Sequence, residues 1–294
     1  YRNDPRPPVQ DLDTLPWPDH DHSHFYSIYD DKVVTGRYPE GSQLNTYYVI
    51  LTARGCPYNC TYCCSPAVKA FYADCRYLRR RRVGPVIEEL KAQKELRGEE
   101  IRHVGFHDDV FTVNPQWIRE FCEAYKREID IPFWCYTHPT ATRQDMMAAL
   151  KDAGLDYTII GLQSGSQRIL SEVFKRRTPR EAILKSMKIL TDLDIKVIID
   201  LIGSNPFETE EDRRETYELL MSLPRPFALH TVNPLTIYEG SEIVEMARKR
   251  PEIWAEIEDY SNDYLAKPKP IYAFWNAVHE LTQYDCFTRD DLDA

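Results

Sequence analysis

The chain has 294 residues, with 37 Lys plus Arg against 47 Asp plus Glu for a net charge of −10, and 43% of its residues are hydrophobic. That apolar share is enough for a sizeable core and excludes disorder as the default state, and the length suits one large unit with appendages. The acidic balance offers no electrostatic footprint for a nucleic-acid backbone, and no uncharged stretch approaches the ~18 residues that cross a bilayer. Neither a nucleic acid nor a membrane is expected as a partner.

In chain order, residues 1–45 read as a proline-rich linker with Pro5, Pro7, Pro8, Pro16 and Pro18. The chain starts at Tyr1 rather than Met, as the cut end of a linker would. His20, His22 and His24 alternate in this polar stretch and read as incidental rather than as a metal site. Tyr47 to Thr52 is a short β-branched strand that Gly55 and Pro57 end. A helix over Pro85 to Arg97, closed by Gly98, leads to a strand over Ile101 to Phe106. The unit then recurs: helix Pro115 to Glu128, strand Phe133 to Thr137, helix Gln144 to Ala153 and strand Tyr157 to Leu162. Helices over Gln167 to Phe174 and Pro179 to Leu193 precede the strand Lys196 to Ile202. A helix over Thr209 to Leu223, capped by Thr209, a strand over Ala228 to Pro234 and a helix over Ser241 to Arg250 complete six βα units.

This alternation argues for a parallel sheet with right-handed crossovers. Six units within 46–250 suit an α/β fold of the partial (β/α)6, TIM-like kind, with its chemistry at the strand C-terminal ends. Residues 251–294 break the pattern and read as a mostly helical appendage rich in aromatics, with Trp254, Tyr260, Tyr264, Tyr272, Phe274 and Trp275. Arg79 to Arg82 would suit a phosphate-bearing substrate, though a solvated run ahead of a helix is the plainer expectation.

The eight cysteines are Cys56, Cys60, Cys63, Cys64, Cys75, Cys122, Cys135 and Cys286. Half fall within nine residues and the rest are scattered, which reads as a reduced, cytoplasmic chain with one metal cluster rather than a disulfide framework. Cys135 and Cys286 read as buried, inert thiols. Cys56-x3-Cys60-x2-Cys63 follows the first strand directly. Three thiolates on one tight loop can hold three irons of a cubane cluster and leave the fourth iron open for chemistry. A zinc site with Cys64 or Cys75 as fourth ligand is the alternative, although structural zinc usually draws on two separated ligand pairs.

With Tyr62 in its aromatic position, this loop resembles the C-x3-C-x-aromatic-C hallmark of the radical SAM (S-adenosylmethionine) enzymes, and the resemblance extends from about Tyr47 to Arg250. It implies a 4Fe-4S cluster on Cys56, Cys60 and Cys63, SAM chelated at the open iron, a small-molecule substrate, and an external electron donor of flavodoxin or ferredoxin type. Phe106-His107-Asp108-Asp109 is similar to the segment that receives the SAM amino group, with Asp108 as candidate although the usual Gly-Gly-Glu is missing. Gly161-Leu162-Gln163-Ser164-Gly165-Ser166 is similar to the family's Gly-Ile-Glu-Ser-Gly-Ser, which implies ribose contacts by Gln163 and Ser164. Lys175, twelve residues after Gln163 and with Arg176 and Arg177 beside it, resembles the basic partner of the SAM carboxylate. Ile199 to Gly203 resembles the segment that packs the adenine, bringing in Ile202 and, toward the ribose, Asp200. The plain alternatives are turns at Gly161 and Gly203, helix caps at Asp108 and Asp200, and a solvated basic run at Lys175.

Asp108-Asp109-Val-Phe-Thr, Trp117, Pro132-Phe133-Trp134-Cys135 and the linker Asp11-Leu12-Asp13-Thr14-Leu15-Pro16-Trp17-Pro18 resemble the branch that binds cobalamin through an N-terminal domain. The resemblance implies cobalamin held outside this sequence and a cobalamin-assisted C-methylation. A cobalamin-independent oxidase or cyclase of porphyrin type, and a non-catalytic iron-sulfur or zinc protein, are the alternatives. Tyr136, His138, His230 and Tyr238 fall near strand ends, where a substrate pocket would lie.

Overall fold

The computed structural model describes residues 3, 6–19, 24–36, 46–261 and 269–293. His20, His22, Tyr264 and the Tyr260 side chain lie outside that description. In chain order the elements are β1 (Tyr26–Tyr29), β2 (Lys32–Thr35), β3 (Tyr47–Ile50), β4 (Ala53–Arg54), α1 (Cys64–Phe71), β5 (Arg79–Arg80), α2 (Val83–Arg97), β6 (His103–Phe106), α3 (Pro115–Glu128), β7 (Phe133–Thr137), α4 (Gln144–Asp152) and β8 (Leu155–Gln163). There follow α5 (Arg180–Asp192), β9 (Lys196–Gly203), α6 (Glu210–Ser222), β10 (Ala228–Leu229), β11 (Asn233–Pro234), α7 (Glu242–Arg248), α8 (Pro251–Ser261), α9 (Pro270–Leu281) and α10 (Arg289–Asp293). None of the described helices is long and apolar enough to cross a membrane.

The main sheet runs β10-β9-β8-β7-β6-β3 with every neighbour parallel, and β11 pairs with β9 as well. A parallel return needs a long crossover, and the helices between strands supply it. This is the α/β architecture expected from the alternation. Along β9, Val197, Ile199 and Leu201 are buried under helices, while Ile198, Asp200 and Ile202 are half-buried on the concave side.

Local chemistry sets the element ends. Asn114 accepts from the Gln116 and Trp117 N–H groups at 3.1 Å each, ahead of Pro115, which opens α3 where a missing N–H costs nothing. Gly154, at φ +109°, turns the chain from α4 into β8. Under α2 and α3, Phe106 meets Phe111, Phe121 and Phe133 at 4.7, 5.2 and 5.4 Å between ring centroids. On the concave side Trp134 stacks on Tyr157 at 5.6 Å and meets His107 edge-on at 4.7 Å. Gly105 permits this, because a Cβ there would lie 2.8 Å from the Trp134 ring.

Thr209 caps α6, as the sequence predicts, and does so in a reciprocal box with Asp212. Asp212 also accepts from Ser166 Oγ at 2.7 Å and pairs with Arg168, so one carboxylate ties α6 to the end of β8. Burial raises its pKa, but the bonds from Arg168, Ser166 and Thr209 outweigh burial and bring it down to about 2 from 3.8. A depressed carboxylate contributes stability that is complete above its unfolded value and is lost as pH falls toward the folded one. Thermal melts between pH 5 and 2 are therefore expected to show an acid-side loss of stability that Asp212→Asn flattens.

The structure departs from the periodicity in several places. The linker contains a β-hairpin, with Tyr26 opposite Thr35 and Tyr29 opposite Lys32. The segment read as a helix over Gln167 to Phe174 is a π-helical turn at Ile169–Val173, and the strand over Ala228 to Pro234 is two short pieces. Only Arg82 of the arginine run is largely solvent-exposed, and all four arginines are engaged. Arg80 is buried over Trp117 at 4.5 Å, Arg81 pairs with Glu89 at 2.6 Å, Arg82 with Asp13 at 2.8 Å, and Arg79 donates to the Val9 carbonyl at 2.6 Å. These contacts fasten the linker to the barrel. Cys135 is fully buried as expected, whereas Cys286 is exposed.

Candidate active site

The cysteine loop is fixed from four sides. Gly55, at φ +92°, packs so close to the Tyr77 carbonyl that a Cβ would lie 2.8 Å from its oxygen. Cys63 caps α1, its Sγ accepting from the Ser65 N–H at 3.4 Å. Between these, Thr61 donates its N–H to the Phe174 carbonyl at 3.0 Å and its hydroxyl to the Val173 carbonyl at 2.6 Å. Both acceptors are end carbonyls of the π-helical turn, which have no partner within it. From the other side, Ile243 N–H donates to the Thr61 carbonyl at 3.1 Å.

Tyr58 stacks on His138 at 4.0 Å and shares a hydrogen bond of 2.9 Å with Thr140 Oγ1. His138 Nδ1 accepts from the Thr140 N–H at 3.1 Å. Burial, aided by the Arg176 cation, drives the His138 pKa down to about 2, so this imidazole is neutral. Without metal, burial pushes Cys56 up to about 11 and raises Cys63, and each is raised further by neighbouring cysteines. Metal binding must displace thiol protons. No three His, Cys, Asp or Glu side chains among the described residues converge on a single-ion site. A cubane cluster does not ask for that, because each thiolate takes its own iron. Three thiols on one fixed loop are a donor set that fits such a cluster.

The residues singled out in the sequence divide by environment. Asp108 is 1% exposed and fully engaged: its carboxylate accepts from the Thr52 N–H at 2.6 Å, the Ala53 N–H at 2.9 Å, the Thr52 hydroxyl and Arg80. Its neighbour Asp109 is exposed beside the cysteine loop, its pKa raised by desolvation and by Asp108 against the pull of Arg54. Gln163 ends β8 at φ +72°, and its amide covers Gly161, where a Cβ would lie 2.4 Å from Nε2. Ser164 is buried and accepts from the Ser166 N–H at 3.2 Å, holding the turn that leaves β8, and its hydroxyl lies 3.3 Å from Thr216 Oγ1 on α6. Asp200 lies opposite Gly161 in the parallel register, on the same concave side as half-buried Ile202. Asp200 Oδ1 meets His230 Nδ1 at 2.9 Å.

Lys175 sits at φ +48° on the surface and pairs with Glu242. The side chain turned inward is the next one, Arg176, which is 7% exposed and reaches the Gly161 carbonyl at 2.6 Å, Tyr62 Oη at 3.4 Å and Cys60 Sγ at 3.7 Å. Counting residues from Gln163 misses it, because the π turn and the left-handed Lys175 shift which residue faces in. The mouth of the concave side is completed by half-buried Tyr136, whose pKa is raised by desolvation and by Asp200.

The model of the Radical SAM superfamily matches residues 50–220, more than half of the chain, and the chain belongs to that superfamily. It is 29% identical over 248 residues to an uncharacterized methyltransferase of Pyrococcus horikoshii, covering 84% of this chain and 49% of that protein. It is 26% identical over 217 residues to the cytidylyl-2-hydroxyethylphosphonate methyltransferase of Streptomyces wedmorensis, covering 71% of this chain and 38% of that protein. Among solved structures, the radical SAM methyltransferase TsrM of Kitasatospora setae, with cobalamin and a 4Fe-4S cluster bound, is similar at a TM-score of 0.57. That likeness spans 68% of this chain and 39% of that one at 17% identity, and it speaks to the fold. The chain spans about half the length, or less, of these relatives.

Proposed function

We propose that this chain is the radical-generating part of a cobalamin-assisted methyltransferase acting on a small molecule. The observation that carries it is the loop of Cys56, Cys60 and Cys63 held at the mouth of the parallel sheet, beside the end of β8. In this reading residues 1–45 lead from a cobalamin-binding domain, 46–250 form the catalytic barrel and 251–294 cover it. The methyltransferase names of the relatives and the cobalamin-bound TsrM structure support the branch.

When bound at the three cysteines, a 4Fe-4S cluster supplies the electron, drawn from a flavodoxin- or ferredoxin-type donor, that splits SAM into methionine and a hydrogen-abstracting adenosyl radical. The chain's own residues orient and enclose. Asp109, rather than the engaged Asp108, is placed to receive the SAM amino group. Gln163 and Asp200 present hydrogen-bonding groups from adjacent strands toward a ribose, and Ile202 offers an apolar surface to the adenine. The rings of Trp134, Tyr157 and His107 line the concave side with aromatic surface, which in this reading limits stray donors near a radical.

The test uses the full-length protein reconstituted anaerobically with iron and sulfide. About four irons per chain are expected, together with 5′-deoxyadenosine from SAM and a requirement for cobalamin. Equal SAM cleavage by protein that binds no cobalamin would replace this reading with the cobalamin-independent oxidase or cyclase. Tight zinc binding without SAM cleavage would remove the enzyme.

A further inference from the structure

Arg176 is a buried cation with no carboxylate in ion-pairing reach among the described residues. Its donors go to a carbonyl (Gly161, 2.6 Å), a phenol (Tyr62, 3.4 Å) and a thiol (Cys60 Sγ, 3.7 Å), and its Nε is buried without a partner. A buried charge without an opposite charge is costly, and native structures rarely leave one uncompensated. Two neighbouring basic side chains add no charge beside it. His138, packed under the same loop, is neutral, and Lys175 is turned out to Glu242.

We infer that Arg176 is the built-in counter-cation of the cluster, a positioning and tuning residue whose bond to Cys60 Sγ makes the cluster easier to reduce. The inference rests on the cysteine loop holding a 4Fe-4S cluster. Such a cluster with thiolate ligands is anionic, and reduction adds a further negative charge. Hydrogen bonds to ligand sulfurs and nearby positive charge both favour the reduced form. The Gly161 carbonyl at the end of β8 anchors the guanidinium fork, so the sulfur contact is fixed by the sheet rather than by a flexible side chain alone.

The measurement is EPR-monitored redox potentiometry of the reconstituted protein without SAM, so that pairing with the SAM carboxylate cannot contribute. Iron and sulfide content is read first: a wild-type protein that binds no cluster overturns the functional reading and this inference with it. With the cluster present, Arg176→Gln is expected to disfavour reduction about tenfold, a fall of ~59 mV for a one-electron couple. Arg176→Lys, which keeps the charge but loses the fork, is expected to fall by less, and Lys175→Gln to leave the potential unchanged. If R176Q assembles less iron than wild type, R176K becomes the deciding variant. A wild-type potential in the iron-replete variant overturns the inference, as does an equal fall in K175Q.

Discussion

Cys60→Ala is expected to abolish assembly of the cluster and cleavage of SAM while leaving the fold in place. Cys60 is the most enclosed of the three cysteines, 6% exposed, and its Sγ meets Arg176 at 3.7 Å and the Tyr62 hydroxyl. The loop around it is fixed by Thr61, Gly55, Tyr58 and the cap at Cys63, none of which depends on the Cys60 sulfur. Removing a single sulfur atom from this site costs on the order of 1 kcal/mol of packing. Circular dichroism should be unchanged and the melting temperature lowered by a few degrees. Iron content and 5′-deoxyadenosine formation should fall to background. Wild-type iron in the variant would mean that Cys64 or Cys75 can replace Cys60, and the three-cysteine assignment would fail.

Asp108→Ala has the opposite signature, a loss of stability before any loss of chemistry. The Asp108 carboxylate joins β6 to the chain leaving β3, and it is the ionic partner of Arg80, itself buried against Trp117 and Phe111. Burial depresses the Arg80 pKa and Asp108 opposes that shift, so deleting the carboxylate strands a buried guanidinium and two backbone N–H groups. Breaking one side of such a pair costs about 3–5 kcal/mol. Denaturant unfolding should show that loss with SAM present or absent. Asp109→Ala, on an exposed side chain, should leave stability within about 0.5 kcal/mol and weaken SAM binding. An Asp108→Ala protein of wild-type stability that no longer binds SAM would reverse the roles of the two aspartates.

The aspartate pair shows what was legible in the sequence and what was not. Outside α1, the β4–β5 ribbon, the π turn and the split strand of β10 and β11, the strands and helices from Tyr47 to Arg248 follow the alternation closely, because a parallel sheet with helical crossovers writes its period into the apolar positions. The cysteine spacing is local, so the loop was readable too. Which member of Asp108-Asp109 points inward depends on Thr52, Ala53 and Arg80, residues distant in sequence. The same holds for Lys175-Arg176, where a π turn displaces the register by a residue that an α-helical count does not contain. The arginine run was hidden for a third reason: its partners Asp13 and Val9 lie in a segment whose composition resembles a solvated linker.

The ribbon of β4 and β5 gives the cysteine loop a property of its own. Ala53 pairs with Arg80 and Arg54 with Arg79, and Arg81 N–H bonds the Thr52 carbonyl at 2.8 Å, so the segment between them is a ring closed at its neck. Closing a long loop is an entropic cost that metal binding meets in a zinc finger, where the metal-free chain is unfolded. Here backbone bonds and the Asp108 carboxylate close the ring before any metal is considered. Metal affinity and folding stability are thereby separable in this chain: a chelator would empty the socket without melting the wall that carries it.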